Sequence, residues 1–326
     1  MKAKKILCLV LVAVLAIGTL SLTSCGKAKY TVGICQLVQH VALDAATQGF
    51  KDALVAELGD DVAFDEQNAA GSNDTAATIV GTFVDKKVDL IMANATGALQ
   101  AAANATEDIP ILGTSITEYG VALEIENFDG TVGGNISGTS DLAPLDQQAK
   151  MITDLVPTAK KVAMLYCSAE PNSEYQVEKV TEYLEKKGIE CDDFSFSDAN
   201  DVQLVSTKAA DWADAIYIPT DNTAAANAEA IWGAISDKKV PVIAGEEGIC
   251  SGTGIATLSI DYYDLGYKTG EMAAEILKGE SDISEMAIAY TPEEKLKKKY
   301  NADICKELGI DTDALEEDGF VAIEKE

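Results

Sequence analysis

Apolar and polar positions alternate in blocks along this chain, and the same block sequence occurs twice. Asp89-Leu90-Ile91-Met92-Ala93-Asn94-Ala95-Thr96 is an apolar run that breaks into a small polar turn, continues as an alanine-rich stretch and ends in Ile109-Pro110-Ile111-Leu112-Gly113. The order recurs in Asp214-Ala215-Ile216-Tyr217-Ile218-Pro219-Thr220-Asp221-Asn222, a second alanine-rich stretch, and Val240-Pro241-Val242-Ile243-Ala244. A strand buried on both faces reads as a short continuous apolar run, and parallel neighbours need a crossover helix, so each copy predicts a strand-helix-strand unit. The pattern predicts strands near 30–37, 62–67, 89–94 and 109–113, with helices near 41–58, 74–87 and 97–106. Further strands are expected near 161–167, 189–195, 214–219, 240–244 and 254–260, with helices between them. Leu43, Ala46, Phe50, Ala53 and Leu54 recur at helical spacing and are expected in the core. The stretch 261–278 reads as a helix opened by an acidic cap and returning to the first unit.

The duplication predicts an α/β fold of two Rossmann-like lobes, each a parallel sheet flanked by helices. Ligands of such sheets sit beyond the carboxyl ends of the strands, where both polar turns fall, so a cleft between facing lobes is expected. The organisation read from the chain is a signal segment at 1–24, a first lobe of 25–138 plus about 261–283, and a second lobe of 139–260 plus about 284–326.

Lys2, Lys4 and Lys5 precede an uninterrupted apolar segment from Ile6 to about Leu20, and Leu22-Thr23-Ser24-Cys25 follows at once. A charged start, a short apolar core and a small residue before cysteine predict a secretory signal ending in a lipobox, with Cys25 acylated. The apolar run is shorter than the roughly 20 residues of a spanning helix. Cleavage would leave roughly 300 residues, enough for two hydrophobic cores. The expected location is the outer face of the cell membrane, held by the lipid.

The formal net charge is −29, with 54 acids against 25 basic residues, and every basic residue is lysine. Nucleic-acid binding is excluded, because phosphate neutralisation needs clustered cations. The only basic run, Lys295 to Lys299, follows Glu293 and Glu294 and reads as a solvated helix face. Without arginine no guanidinium fork can hold a carboxylate; hydroxyls, backbone N–H groups at helix starts or a lysine must do so. One histidine and no CxxC argue against zinc, and no other metal or cofactor is expected. There is no GxSxG, no phosphate loop and no dinucleotide fingerprint, so no enzymatic activity is expected. Asp311-Thr312-Asp313 starts like a calcium loop but fails at Leu315 and Glu316.

Several segments resemble a known family: Gly33-Ile34-Cys35-Gln36 with His40-Val41-Ala42-Leu43-Asp44-Ala45, Gly138-Thr139-Ser140-Asp141, Asn172-Ser173, Pro219-Thr220-Asp221-Asn222-Thr223, and Asp261-Tyr262-Tyr263-Asp264-Leu265-Gly266 with Thr269-Gly270-Glu271-Met272. In order and spacing they resemble the type I substrate-binding lipoproteins of ABC importers, in the aromatic amino-acid (tryptophan-type) group. Val41 departs from the pattern, since members often carry proline there. The resemblance implies a monomeric receptor for an α-amino acid, with an ABC permease and ATPase as partners. It also implies a ligand carboxylate held by the first lobe and an ammonium held by an acid of the second. Thr96, Thr114 and Ser115 stand where the first-lobe donors would be, and Asp221 where the acid would be. Gln36, His40, Asn94, Asp141, Ser168, Glu170, Asn172, Asn222 and Glu246 are further cleft candidates by position. A sugar or nucleoside receptor of the same fold is the alternative, weakened by an aromatic content of 6% and the missing arginine. A ligand-sensing module for a membrane partner would look the same in sequence.

Overall fold

In a computed structural model, residues 28–324 are described; the signal segment and Cys25 lie outside them. The first lobe is built on six strands: β1 (Tyr30–Gln36), β2 (Val62–Asn68), β3 (Leu90–Asn94), β4 (Ile111–Ile116), β5 (Ile136–Ser140) and β11 (Ala289–Tyr290). Their order across the sheet is β11-β5-β4-β3-β1-β2, all parallel. Helices α1 (Val41–Leu58), α2 (Asn73–Lys86), α3 (Thr96–Ala105) and the short α4 (Tyr119–Ala122) complete the first pass of the chain.

The second lobe carries β6 (Lys161–Cys167), β7 (Glu190–Phe196), β8 (Ala215–Ile218), β9 (Val242–Ala244), β10 (Ala256–Ser259), β12 (Lys297–Tyr300) and β13 (Val321–Ala322). They are ordered β13-β12-β10-β9-β8-β6-β7, with β12 antiparallel to β10. Its helices are α5 (Leu145–Leu155), α6 (Pro171–Lys186), α7 (Val202–Trp212), α8 (Asn222–Ala226), α9 (Ala228–Ile235) and α10 (Glu247–Gly252). Helix α11 (Tyr262–Lys278) follows β10, and α12 (Ala302–Leu308) and α13 (Thr312–Glu317) close the chain.

The continuous apolar runs become strands because both sheet faces are covered. Leu90 to Ala93 and Ala215 to Ile218 are fully buried. Phe50 and Leu54 of α1 pack with Val32, Ile34 and Leu90 on one face of the first sheet, while Phe83 of α2 and Leu99 of α3 cover the other. Helix α11, capped by Asp261 accepting from the Asp264 amide at 3.2 Å, lies directly on α1. Glycines make that approach possible. A Cβ on Gly266 would stand 1.9 Å from the Ala46 carbonyl oxygen, one on Gly49 2.1 Å from that of Tyr263, and one on Gly270 2.5 Å from that of Phe50.

Three expectations need correction. The boundary at 138/139 falls inside β5, whose register with β4 places it in the first sheet. Likewise, residues after 284 do not go straight to the second lobe, because β11 pairs with β5 before β12 joins β10. The chain therefore crosses between lobes at 141–144, 260–261 and 291–296. Finally, the lysine run is not a helix face: Lys297–Tyr300 is a strand. Lys297 pairs with Asp261 at 3.0 Å, Lys299 with Glu247, and Lys298 lies over the Phe320 ring, so its charges are held on alternate sides of a ladder.

Candidate functional site

Two cavities adjoin between the lobes, sharing Asn172 and Asn222. The larger, about 330 Å³, is lined from the first lobe by Leu37, Val38, Asn73, Thr96 and Gln100, and from the second by Pro171, Ala226 and Asn227 among others. The smaller has a free volume of about 10 Å³ and is lined by His40, Ser115, Thr117, Asp141, Thr220, Asp221, Glu246 and Tyr262. That volume is close to the roughly 10–15 Å³ needed by one water-sized group. Among the described residues no lysine lines either cavity.

The first-lobe rim is strained and open. Ala95 and Ser115, at the carboxyl ends of the adjacent strands β3 and β4, have φ of 84° and 55°, conformations costly for side-chain-bearing residues. At Ser115 the β4–β5 register shifts between Gly113 and Ile116. Ala95 leaves α3 without a side-chain cap, so the first-turn N–H groups beside the Thr96 hydroxyl are not closed off by a side chain. His40, the residue before α1, likewise gives that helix no side-chain cap.

The second-lobe rim is acidic and closed. Asp221 Oδ2 accepts from the Cys167 amide and the Ser173 hydroxyl, both at 2.7 Å, and its Oδ1 caps α8 through the Ala224 amide at 2.7 Å. Glu170 accepts from the amides of Asn222 and Thr223 and from both their side chains, at 2.7–2.9 Å. Glu246 caps α10 through the Gly248 and Ile249 amides. Asp141, on the first crossing, accepts from the Tyr262 hydroxyl through Oδ2 at 2.9 Å, and the Thr117 hydroxyl lies beside it.

Burial raises all three carboxylates of the small cavity. It pushes Asp141 up to about 6 and Glu246 to about 7; Asp221 reaches about 7 through burial and the nearby Glu170 charge. Burial lowers His40, keeping its ring neutral near neutral pH. Among the described residues eight buried side-chain N or O atoms lack a hydrogen-bond partner, and four of them line this one cavity: His40 Nδ1, Ser115 Oγ, Asp141 Oδ1 and Asn172 Oδ1. Buried polar groups are normally paired, so a cluster of orphans marks a place for a bound partner. Grouped carboxylates without a cation ask for a positive one. Among the described residues no group of three or more His, Cys, Asp or Glu is disposed to hold a metal ion.

Of the sequence candidates, His40, Ser115, Asp141, Asn172, Asp221, Asn222 and Glu246 meet at the small cavity, and Thr96 and Glu170 at the large one. Four do not reach either. Gln36 is held by the Val38 carbonyl, Asp44 and Thr47, and Asn94 by the Leu43 carbonyl and Thr47. Thr114 belongs to a buried hydroxyl cluster with Thr139 and Thr269 under α11. Ser168 is exposed and bonds the Phe196 carbonyl. Sequence reading missed Tyr262, Thr117, Thr220, Asn73 and Gln100; Thr117 stands two residues beyond Ser115 at the same strand end and was the most legible. Burial pushes the Cys167 thiol, at the mouth, up to about 11, so it is no nucleophile.

Residues 31–315 match the family described as ABC transporter substrate binding protein. A tyrosine-binding protein of Clostridioides difficile (strain R20291) is 37% identical over 302 residues, 86% of each chain. A solved structure from Streptococcus pneumonia, an ABC domain in complex with L-Trp, is 32% identical, with a TM-score of 0.84 over 91% of this chain and 100% of that one. The ligand-free, open structure of a substrate-binding protein with adhesive properties from Clostridium difficile is 35% identical, yet its TM-score is 0.67 over 90% and 100%. A myo-inositol-bound ABC solute-binding protein from Bacillus halodurans, at 16% identity and a TM-score of 0.62, shares the fold.

Proposed function

This chain belongs to the ABC transporter substrate-binding protein family, with the type I periplasmic binding fold, and from that premise we propose that it is a lipid-anchored receptor for an aromatic α-amino acid. The observation that carries the reading is the small acidic cavity: three buried carboxylates, no lysine, and room for one water-sized group, the size of an ammonium. The ligand carboxylate lies against the Ser115 and Thr96 hydroxyls and the uncapped start of α3, the arrangement an anion prefers at a helix N-terminus. The side chain occupies the 330 Å³ cavity, within the roughly 300–1,000 Å³ range of small-molecule sites. Asn73, Gln100 and Asn227 line it beside Leu37, Val38 and Pro171, a lining that suits a ring with a polar edge, as in tyrosine or tryptophan, better than a bare phenyl.

The lobes act as a clamp. Closer agreement with the tryptophan-bound relative than with the more identical open one supports a closed arrangement here. A ligand gripped from both sides favours closure because it binds that state better. Cys25 tethers the receptor outside the membrane, and an ABC permease with its ATPase receives the ligand from the monomeric receptor. A thermal-shift screen of the twenty amino acids and simple sugars tests the ligand class. Tyrosine and tryptophan are expected to give the largest stabilisation, with phenylalanine behind. Stabilisation by a sugar alone would replace the amino acid with the alternative ligand.

A further inference from the structure

The small cavity says which protons of the ligand are counted. Asn222 Nδ2 donates to Glu170 Oε2 at 2.7 Å, and a carboxylate engaged by four donors can only accept, so Asn222 presents its Oδ1 to His40 Nε2 at 3.3 Å. That contact requires the proton on Nε2, which leaves Nδ1 a bare acceptor. Asn172 is fixed in the same way: its Nδ2 donates to the Thr220 carbonyl at 3.0 Å, leaving Oδ1 uncommitted. Asp141 gives one oxygen to Tyr262 and keeps the other free. Three buried acceptors without donors thus line a cavity holding a single water-sized group.

Building on the amino-acid reading, we infer that His40 Nδ1, Asp141 Oδ1 and Asn172 Oδ1 receive the three N–H protons of a primary ammonium, and that His40 is a specificity-determining residue for this amine. The three acceptors come from α1's start, the first crossing and α6, so the amine is met from both lobes and the link between them. The His40 acceptor is created by closure, because its tautomer is dictated by Asn222 across the cleft. A primary ammonium satisfies every acceptor. An N-methyl group would place carbon where an acceptor waits and where there is no spare volume, and a ligand without nitrogen would leave all three unpaired, the situation that gives hydrogen-bonding sites their strongest discrimination.

Calorimetry with L-tyrosine, N-methyl-L-tyrosine and 3-(4-hydroxyphenyl)propanoate tests this on the full mature protein. Wild type is expected to bind the last two at least ~100-fold more weakly. His40→Gln keeps a donor for Asn222 but offers no acceptor at the Nδ1 position. It should lose roughly 10-fold for tyrosine while changing less than about twofold for the propanoate, so the discrimination narrows. His40→Asn places an acceptor near Nδ1 but cannot reach Asn222; it should keep the discrimination while its ligand-induced contraction in X-ray scattering shrinks. Equal binding of tyrosine and its N-methyl derivative by wild type, or undiminished discrimination in His40→Gln, overturns the inference and leaves the receptor reading standing. Failure of wild type to bind tyrosine, tryptophan or phenylalanine overturns both.

Discussion

The two rims of the cleft are built from one duplicated strand-turn-helix plan, yet they finish it in opposite ways. In the first lobe Ala95 stands where a capping side chain would be, and the start of α3 is left to whatever enters the cleft. In the second, Asp221 and Glu246 turn their oxygens back onto the amides of α8 and α10. An uncapped helix start is electropositive, whereas a carboxylate-capped one carries surplus negative charge. Closing the lobes therefore brings a positive rim against a negative one, the polarity that the proposed zwitterionic ligand would match. The scaffold is shared; at these three helix starts the charge is decided by the residue that precedes the helix, Ala95 in one lobe and Asp221 and Glu246 in the other.

The largest break in this contrast is Asp221→Ala. Asp221 is engaged by three donors, so its help to the ammonium comes through its charge, worth about 3 kcal/mol for charges 5 Å apart at an effective dielectric of ~20. Calorimetry should show tyrosine affinity falling on the order of 100-fold. The melting temperature should also drop, because three donors lose their acceptor. Ser173→Ala, which removes one of those donors and no charge, is the control, expected within about threefold of wild-type affinity. If Asp221→Ala binds no worse than that, the carboxylate is a helix cap and the polarity of the rim is incidental.

Acidity sharpens the contrast at intermediate cost. Asp141, Asp221 and Glu246 are raised from unfolded values of about 4 to about 6–7. For acids raised in the folded state, the folded chain holds more protons than the unfolded one between those values. Ligand-free stability should thus fall as pH rises from about 4 to about 7 and level off above. Binding runs the other way. The ammonium needs the carboxylates ionised, so affinity should rise across pH 5.5 to 7.5 with protons released on binding. Tyr262, Tyr119, Cys167, Cys250, Glu170, Glu247 and His40, with Asp44 beside the histidine, are ionisable neighbours of this cluster. Calorimetry in two buffers of different ionisation enthalpy measures the proton count, and a count of zero at pH 6.5 would contradict the assignment.

The smallest effect is expected on the first-lobe side. Thr96→Val keeps the shape and removes one hydroxyl from a carboxylate site that also has backbone donors, a loss of roughly 5- to 15-fold in affinity. Unchanged affinity in titrations would move the carboxylate away from the start of α3.

What could be read from the chain follows the same division between frame and charge. Strands such as β3 and β8 were legible because burial on both faces demands an unbroken apolar run. Strand β5, Ile136–Ser140, is equally buried but written in glycine and hydroxyls. Its Thr139 completes the hydroxyl cluster with Thr114 and Thr269, and Gly138 has φ of 146° with no room for a Cβ beside Gly113. Local composition could not announce that tertiary pairing. Strand β12 was hidden by its lysines, whose partners Asp261 and Glu247 lie far off in sequence. At the site, residues just after apolar strands (Thr96, Ser115, Asp221, Glu246) were found by position, and Asp141 came with the Gly138–Asp141 segment of the family resemblance. Gln36 and Asn94 sit equally well by that rule, but the Val38 carbonyl, Asp44 and Thr47 claim the first and the Leu43 carbonyl and Thr47 the second. Tyr262 was missed because it opens a helix of the returning segment, and only the crossing of the chain brings its hydroxyl to Asp141.

The glycine seam between α1 and α11 has a mechanical meaning. With backbone against backbone at Gly49, Gly266 and Gly270 there is no layer of side chains to shear, so α11 travels with the first lobe as a rigid strut. Bending is then confined to the three short crossings, and Tyr262, at the root of the strut beside one of them, sits near the axis where displacement is least. In the proposed binding mode the amine would then be anchored close to the pivot and the side chain would lie out along the jaws, where a few degrees of rotation translate into the greatest change in grip.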